Sequence, residues 1–251
     1  MNELSILQKL GWVAMSPYPH MVIENCLPEP LYEALEKTRP SDEAIVNGRS
    51  FTSNMRMDLH ARQLLAREDL PSDWREFIRY HTSVTFWRDI LHVFGPGIPK
   101  IKTVPRLALM PTAVRTNPPD KQVISLDVNV GVNTPVVGPA TRVRGPHVDN
   151  PIELFAAMLY MPPKDAPDEG GDFVIYEKTR PVRFEGKAEV RREDERSLVE
   201  HARVRYERNT MVAFINSVDA IHGVTPRQSG DFRRMVNFCA ELPSAAFMIP
   251  R

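Results

Sequence analysis

Apolar and polar residues alternate along the segment VISLDVNVGV, at positions 123–132. Because successive side chains of a strand point to opposite faces, this alternation predicts a strand with one apolar and one polar face. Shorter apolar runs bounded by turn residues predict further strands at Leu154–Met161, Asp172–Tyr176, Ala202–Tyr206, Met211–Ile215 and Met235–Ala240. The second half of the chain is therefore predicted to be rich in short strands.

A helical period precedes these strands. The segment PEPLYEALEKT, which follows Leu27, has proline near its start and apolar residues on one stripe, which predicts a helix. Two more helices are predicted from Ser72 to Gly95, with a break at Thr82 and Ser83. Helices followed by many short strands predict a sheet sandwich or barrel supported by amino-terminal helices. We expect a single domain over residues 1–251, with helical support to about residue 100 and the strands at about 101–245.

Charge and cysteine content exclude several classes of protein. Lys+Arg and Asp+Glu each number 32, so no net charge attracts nucleic acid or an anionic membrane surface. Two cysteines and an amino terminus unlike a signal peptide predict a cytoplasmic protein, and no apolar run reaches the roughly 18 residues that span a bilayer. The charge-dense span from Glu177 to Arg208 mixes both signs, and we expect it to be mostly solvated loop or exposed helix.

The segment RGPHVDNP places His147 two residues before Asp149. Side chains at i and i+2 of an extended segment point the same way, so this pair can supply two ligands to a divalent metal. His222, after the predicted strand Met211–Ile215, is a third candidate, and two histidines with one carboxylate form the facial triad that binds Fe(II) in non-haem oxygenases. The alternatives are a His–Asp hydrogen bond at a strand end and an exposed turn histidine. A Zn hydrolase can use the same ligands, but it needs a general-base carboxylate that the sequence does not identify.

Two arginines follow His222 in the segment GDFRRMVNF. A guanidinium at the start of a strand can bind a carboxylate through two parallel hydrogen bonds. Strand alternation places Arg233 on the same face as Asn237, and Arg234 on the face of Phe238. Because Asn237 suits a polar pocket, Arg233 is predicted to face the pocket. The alternative is a pair of solvent-facing arginines.

Two further pairs of residues are predicted to have structural roles. Gly170 and Gly171 are expected to form a tight hairpin turn, and a close backbone approach to a cofactor is the alternative. Arg142 and Arg144 precede the HVD motif. We expect solvated strand-edge charges there, and contact with an anionic substrate is the alternative.

The order of these motifs resembles the 2-oxoglutarate- and Fe(II)-dependent oxygenases of the prolyl-hydroxylase-like type. The resemblance covers about residues 120–240, and the stretch HMVIENCLPEPLYEALEKT is similar to the family's first strand and helix. It implies a mainly β fold, a double-stranded β-helix or jelly-roll, with amino-terminal helices packed on one sheet. The matching segments are HVDNP at 147–151, LYM at 159–161, GGDF at 170–173, HGV at 222–224 and RRMVNF at 233–238.

The resemblance also implies roles for individual residues. His147, Asp149 and His222 correspond to the iron ligands. Arg233 corresponds to the residue that binds the distal carboxylate of 2-oxoglutarate. Tyr160 corresponds to a tyrosine near that carboxylate, and a core aromatic is the alternative for it.

Two departures from the family pattern concern the arginine. The interval from His222 to Arg233 is longer than usual, which leaves Arg234 and Arg227 as alternatives. Met235 stands where a small hydroxyl residue often helps the arginine, so the carboxylate is expected to find fewer donors.

The implied function is hydroxylation of an unactivated C–H bond in a small molecule, such as an amino acid or sugar derivative. Fe(II) is the implied cofactor, and 2-oxoglutarate and O2 are the implied co-substrates. The presence of Asp149 favours hydroxylation, because halogenating relatives replace this carboxylate with a small residue. The alternative is a non-catalytic jelly-roll that binds a metal or a sugar, since this fold hosts many functions. Nucleic acid and collagen-like peptide are not expected as partners, and neither the substrate nor the oligomeric state is predicted.

Overall fold

Short strands dominate the computed structural model, which describes residues 2–9, 11–98, 104–164, 170–228 and 230–250. In chain order the strands are β1 (His20–Ile23), β2 (Arg56–His60), β3 (Thr112–Val114), β4 (Ile124–Asn133), β5 (Glu153–Tyr160), β6 (Phe173–Lys178), β7 (Phe184–Glu185), β8 (Glu189–Val190), β9 (Leu198–Val204), β10 (Met211–Ile215), β11 (His222–Val224) and β12 (Arg233–Glu241). All the strands predicted from the pattern are present, and β10 has the predicted bounds.

Two sheets face each other. The large sheet has the antiparallel order β1–β10–β5–β12–β4–β2, and β3 pairs with β4 in parallel. The small sheet has the order β11–β6–β9, and β7 pairs only with β8. Tyr160, Phe214 and Met235 of the large sheet pack against Phe173 and Ile175 of the small one, so a core lies between the sheets. This arrangement is the predicted jelly-roll.

Helices cover the outer face of the large sheet. Phe77 of the fourth helix lies edge-on to Phe238, with ring centroids 5.8 Å apart, and Phe86 of the fifth helix lies 6.1 Å from Phe155. These aromatic contacts bury the sheet's apolar face, as predicted. The helices are α1 (Glu29–Lys37), α2 (Asp42–Val46), α3 (Ala61–Leu65), α4 (Ser72–His81), α5 (Val84–Phe94) and α6 (Val104–Ala108), with 3-10 turns at Gly95–Gly97 and Glu195–Ser197.

The predicted break between two helices is confirmed. Thr82 ends α4, and the side chain of Ser83 caps α5 by accepting a hydrogen bond from the backbone N–H of Phe86. The alternation along β4 is confirmed as well, because its apolar residues pack in the core beneath the helices while Asn129 and Asn133 line the space between the sheets. Within the described ranges, every helix is too short or too polar to cross a bilayer.

The charge-dense span is more structured than predicted. It contains β7, β8 and the whole of β9, which begins at Leu198 rather than at the predicted Ala202. Val182, Phe184 and Val190 from this span are buried beneath the segment that carries the HVD motif. Short polar strands of this kind are stabilised by backbone pairing with a neighbour, which an apolar pattern does not reveal.

Candidate active site

Three predicted ligands meet at one edge of the small sheet. The backbone N–H of His147 donates to the carbonyl of His222, and the reverse hydrogen bond is also made, each 2.9 Å long. Directly opposed residues of an antiparallel pair point to the same face, so both imidazoles face the large sheet. Asp149 follows at i+2 on the same face, while the side chain of Val148 is fully buried on the other.

A buried amide holds the chain beyond Asp149. The side chain of Asn216, which follows β10, is fully buried and donates to the carbonyls of Asn150 and Glu153, 3.1 and 3.0 Å away. These two hydrogen bonds attach the loop after the HVD motif to the large sheet. Asn216 was not predicted from the sequence, because the side chain acts only through the backbone of a distant loop.

The ligand atoms of the three residues converge. His147 Nε2 and His222 Nε2 each lie 3.6 Å from a different oxygen of Asp149, and all three ligand atoms lie within 4.8 Å of one another. The Nδ1 atoms donate to the backbone carbonyls of Gly145 and Ala220, at 2.7 and 2.9 Å. This pairing leaves both Nε2 lone pairs free for a metal, as in other histidine-ligated sites. The donor set therefore fits a divalent ion such as Fe(II).

Burial and neighbouring charges set the protonation of the cluster. Burial lowers the pKa of His222 to about 4, which keeps its imidazole neutral near pH 7. Burial acts to raise the pKa of Asp149. The two imidazoles and Arg144 lower this pKa by a larger amount and hold it well below its usual range. His222 and Asp149 are therefore in the forms that bind metals, a neutral imidazole and an ionised carboxylate.

Arg144 corrects the prediction that the residues before the motif are solvated charges. Its Nη1 lies 3.9 Å from Oδ1 of Asp149, and its Nε lies 3.6 Å from Oε1 of Glu189. Arg142 forms a separate ion pair with Glu195. Both arginines are partly shielded because the span after β7 folds back over this segment.

A cavity of about 560 Å³ lies between the two sheets, a size suited to a small-molecule ligand. The three candidate metal ligands line one wall. Phe173 stacks on the His222 ring at 5.1 Å, and Phe214 lies 4.7 Å from it, so apolar rings shield this imidazole. The opposite wall is the polar face of β4 and β12, where the lining includes Asn129, Asn133, Arg233, Asn237 and Glu241.

Arg233 is a buried cation at one end of this wall. It is 2% exposed and lies over the rings of Tyr160 and Tyr206, at 5.0 and 4.9 Å. Its terminal nitrogens contact only the weak sulfur acceptors of Met158 and Met235, and its Nε has no hydrogen-bond partner. In the described part of the chain, no carboxylate lies within ion-pair distance of it.

The two alternative arginines are engaged elsewhere. Arg234 lies on the other face of β12 and forms hydrogen bonds of 2.7–3.1 Å to the Asp42 carboxylate. Arg227 is buried, but it donates to Asn54, to the carbonyl of Thr134 and to that of Asp231. Of the three candidates, Arg233 is the one that faces the cavity without polar partners of full strength.

Tyr160 lies at the same end of the cavity as Arg233. Its ring is fully buried, and burial raises the pKa of its hydroxyl to about 12. The hydroxyl oxygen is itself buried and makes no well-aligned hydrogen bond in the described structure, although the Arg233 guanidinium lies close enough to oppose the rise in pKa. Tyr206, which was predicted only as the last residue of a strand, uses its hydroxyl to bind the backbone of Arg234.

The hairpin turn predicted at Gly170 and Gly171 would begin in residues 165–169, which lie outside the described residues, and the glycines themselves have positive φ angles and close backbone contacts. Gly170 and Gly171 have φ angles of +78° and +85°. A Cβ on Gly170 would collide with the backbone of Pro226, and one on Gly171 would lie 2.9 Å from Nε of Arg233. These glycines therefore allow the backbone to approach both the segment after β11 and the Arg233 side chain.

A second polar group in the cavity was not predicted. Glu153 and Glu241 are directly opposed on β5 and β12, and both line the cavity. Burial, Asp149 and Glu241 raise the pKa of Glu153 to about 8. The sequence carries no signal for this pair, because it depends on the register between two strands that are distant in the chain.

The backbone of this chain is similar to those of two solved prolyl 4-hydroxylases. The chain matches the prolyl 4-hydroxylase of Phytophthora capsici with a TM-score of 0.52 and 13% identity, over 96% of this chain and 63% of that one. It matches the Pseudomonas putida prolyl-4-hydroxylase with a TM-score of 0.51 and 13% identity, over 96% of this chain and 99% of that one. The chain has a prolyl 4-hydroxylase fold. No family model and no curated protein matches the sequence.

The prolyl 4-hydroxylase fold confirms the architecture implied by the motif order. At 13% identity the likeness concerns the path of the backbone. The ligand of the cavity depends on the side chains that line it.

Proposed function

We propose that this protein is a non-haem Fe(II) dioxygenase that uses 2-oxoglutarate to hydroxylate a C–H bond of a small molecule. The observation that carries the proposal is Arg233, a buried cation without a carboxylate partner among the described residues, in the same cavity as two histidines and one aspartate. An unpaired buried charge is costly, and a dicarboxylate co-substrate that reaches Arg233 removes that cost.

The proposed reaction is balanced by its co-substrates. 2-Oxoglutarate, O2 and a substrate R–H give succinate, CO2 and R–OH. The C1–C2 bond of the oxo acid breaks. One atom of O2 enters succinate, and the other enters the alcohol R–OH. Iron at the three-residue cluster supplies the redox chemistry when bound. Three protein ligands leave coordination positions for the oxo acid and O2.

The residues of this chain have distinct tasks in the proposal. His147, Asp149 and His222 hold the metal, and the carbonyls of Gly145 and Ala220 orient the imidazoles. Arg233 binds the distal carboxylate of 2-oxoglutarate. Tyr160 offers its unpartnered hydroxyl as a further donor at that end, and the apolar rings on the metal wall limit access of water.

A spectroscopic experiment tests the function. We expect the anaerobic protein with Fe(II) to develop a weak visible charge-transfer band when 2-oxoglutarate is added, because the oxo acid chelates the iron. Admission of O2 should then yield succinate slowly without the true substrate. A Zn hydrolase, for which Glu153 is an available carboxylate base, gives no band, and neither does a jelly-roll binding module. Iron-loaded protein that stays colourless at saturating 2-oxoglutarate contradicts the proposal.

Gly171 provides a second test that does not require turnover. We expect Gly171→Ala to weaken 2-oxoglutarate binding about tenfold, because the added Cβ displaces the Arg233 side chain. Gly138→Ala is the matched control, since Gly138 has a φ of +91° but open space around it. Calorimetric titration measures both. Equal effects of the two substitutions would mean that backbone strain alone accounts for the loss.

A further inference from the structure

The end of the cavity opposite Arg233 carries two buried carboxyl groups. Glu241 lies eight residues beyond Arg233 on β12, a distance of about 27 Å along an extended strand. Glu153 is its direct cross-strand neighbour on β5. Like charges in directly opposed positions destabilise a sheet unless a cation lies between or beside them.

Among the described residues, one cation forms an ion pair with a member of this pair, and that cation is shared. Arg115 has its Nε 2.8 Å from Oε1 of Glu241 and its Nη1 3.8 Å from Oδ2 of Asp127. The second oxygen of Glu241 is buried and has no hydrogen-bond partner, although the residue is only 2% exposed. Within the described residues, the carboxylate of Glu153 takes part in no ion pair.

The other cations that line the cavity are paired elsewhere or lie at its rim. Arg56 contacts both oxygens of Asp58, at 3.2 and 3.0 Å. Arg144 lies beside Asp149 and Glu189. Lys187 is exposed. Among the described residues, the Glu153 carboxyl group is thus left without an ion pair and one buried oxygen of Glu241 without a hydrogen bond, and the raised pKa of Glu153 means that a cation is needed to ionise it near neutral pH.

Two amides on the same cavity wall, midway along β12 between Arg233 and Glu241, independently indicate a ligand. Asn129 and Asn237 are directly opposed on β4 and β12, and both line the cavity. Oδ1 of Asn129 and Nδ2 of Asn237 are buried without partners, and Asn237 is 9% exposed. Buried polar atoms are almost always hydrogen-bonded in a native protein, so a polar molecule is needed to satisfy this acceptor and this donor.

We propose that Glu153 and Glu241 bind a protonated amine of the primary substrate, and that Asn129 and Asn237 bind other polar atoms of the same molecule, towards the middle of the cavity. The proposal rests on the proposed function, since it assigns the Arg233 end to 2-oxoglutarate and this end to the molecule that is hydroxylated. An ammonium group supplies the missing cation and donates to the free oxygen of Glu241. The substrate class is therefore a small amine that carries a nearby oxygen, such as an amino acid or an amino sugar.

Matched pairs of compounds test this assignment on the full chain loaded with Fe(II) and 2-oxoglutarate under anaerobic conditions. The pairs are glucosamine and glucose, and leucine and 2-hydroxy-4-methylpentanoate, which differ in one amine replaced by a hydroxyl. We expect at least one amine to bind about tenfold or more tightly than its hydroxyl partner, measured by calorimetry. Glu241→Gln and Glu153→Gln should reduce this preference, while Glu185→Gln, an exposed site on β7, should keep it.

Each result decides the proposal. Hydroxyl compounds that bind as tightly as the amines would overturn it, as would a preference that survives in the Glu153→Gln, Glu241→Gln double variant. It is also overturned if no amine binds protein that does bind 2-oxoglutarate. Failure of the proposed function gives a different result: 2-oxoglutarate does not bind, while the amine preference and its loss in Glu241→Gln remain.

Discussion

Asp149→Ala and His222→Ala proteins are expected to weaken Fe(II) binding by more than about 100-fold while remaining folded. Each substitution removes one of three ligand atoms that lie within 4.8 Å of one another, and the loss of one of three ligands lowers the affinity of the site. Iron per chain after gel filtration measures the effect, and far-ultraviolet circular dichroism reports the fold. The measurement needs no 2-oxoglutarate and no substrate.

His201→Ala is the matched control for the metal experiment. His201 lies on β9 and pairs with Glu177 at 3.5 Å, apart from the three-residue cluster. We expect this variant to bind iron like the unaltered chain. Retention of one iron per chain in Asp149→Ala or His222→Ala would refute the assignment of the ligands.

Arg233→Ala is expected to raise the dissociation constant for 2-oxoglutarate at least about 30-fold, because the distal carboxylate is then buried without a charged partner. Iron binding should not change. Arg234→Ala is the control on the same strand, since its guanidinium lies on the opposite face and pairs with Asp42. Calorimetric titration of the metal-loaded variants with 2-oxoglutarate checks both expectations.

The stability of the ligand-free variants should change in the opposite order. Arg233→Ala removes a buried cation without a counter-ion, so we expect no loss of Tm. Arg234→Ala leaves the 7%-exposed carboxylate of Asp42 with Arg39 alone, and we expect a loss of about 1 kcal/mol in the free energy of unfolding, or 2–4 °C in Tm.

A larger loss of 2-oxoglutarate binding in Arg234→Ala than in Arg233→Ala would contradict the assignment of the cavity face.

The periodic elements were predictable because their pattern reflects a single buried face. The residues of β4 alternate because one face of the strand packs against the helices and the other faces the cavity. The helical stripes of α4 and α5, with Ser83 as the cap between them, record burial of one side of each helix. β2 was missed because a short edge strand depends on pairing with β4 rather than on an apolar pattern of its own.

Part of the site was likewise present in the local sequence. The spacing of His147 and Asp149 places both side chains on one face of an extended segment, and alternation separates Arg233 from Arg234. The alternation predicts Arg233 inside the cavity and Arg234 outside it, and the structure places them in this way. Both inferences need only the geometry of a strand, which extends over a few neighbouring residues.

By itself, then, the sequence determined the local faces: which residues alternate, where the helices stop, and which histidine, aspartate and arginine share a side of a strand. Tertiary structure decided which of those faces meet. The mutual hydrogen bonds of His147 and His222, the room that Gly171 leaves for Arg233, and the opposition of Glu153 and Glu241 all depend on strand register. Register is set by packing over the whole sheet, and a shift of one residue reverses every side chain, so no local pattern specifies which distant charges become neighbours.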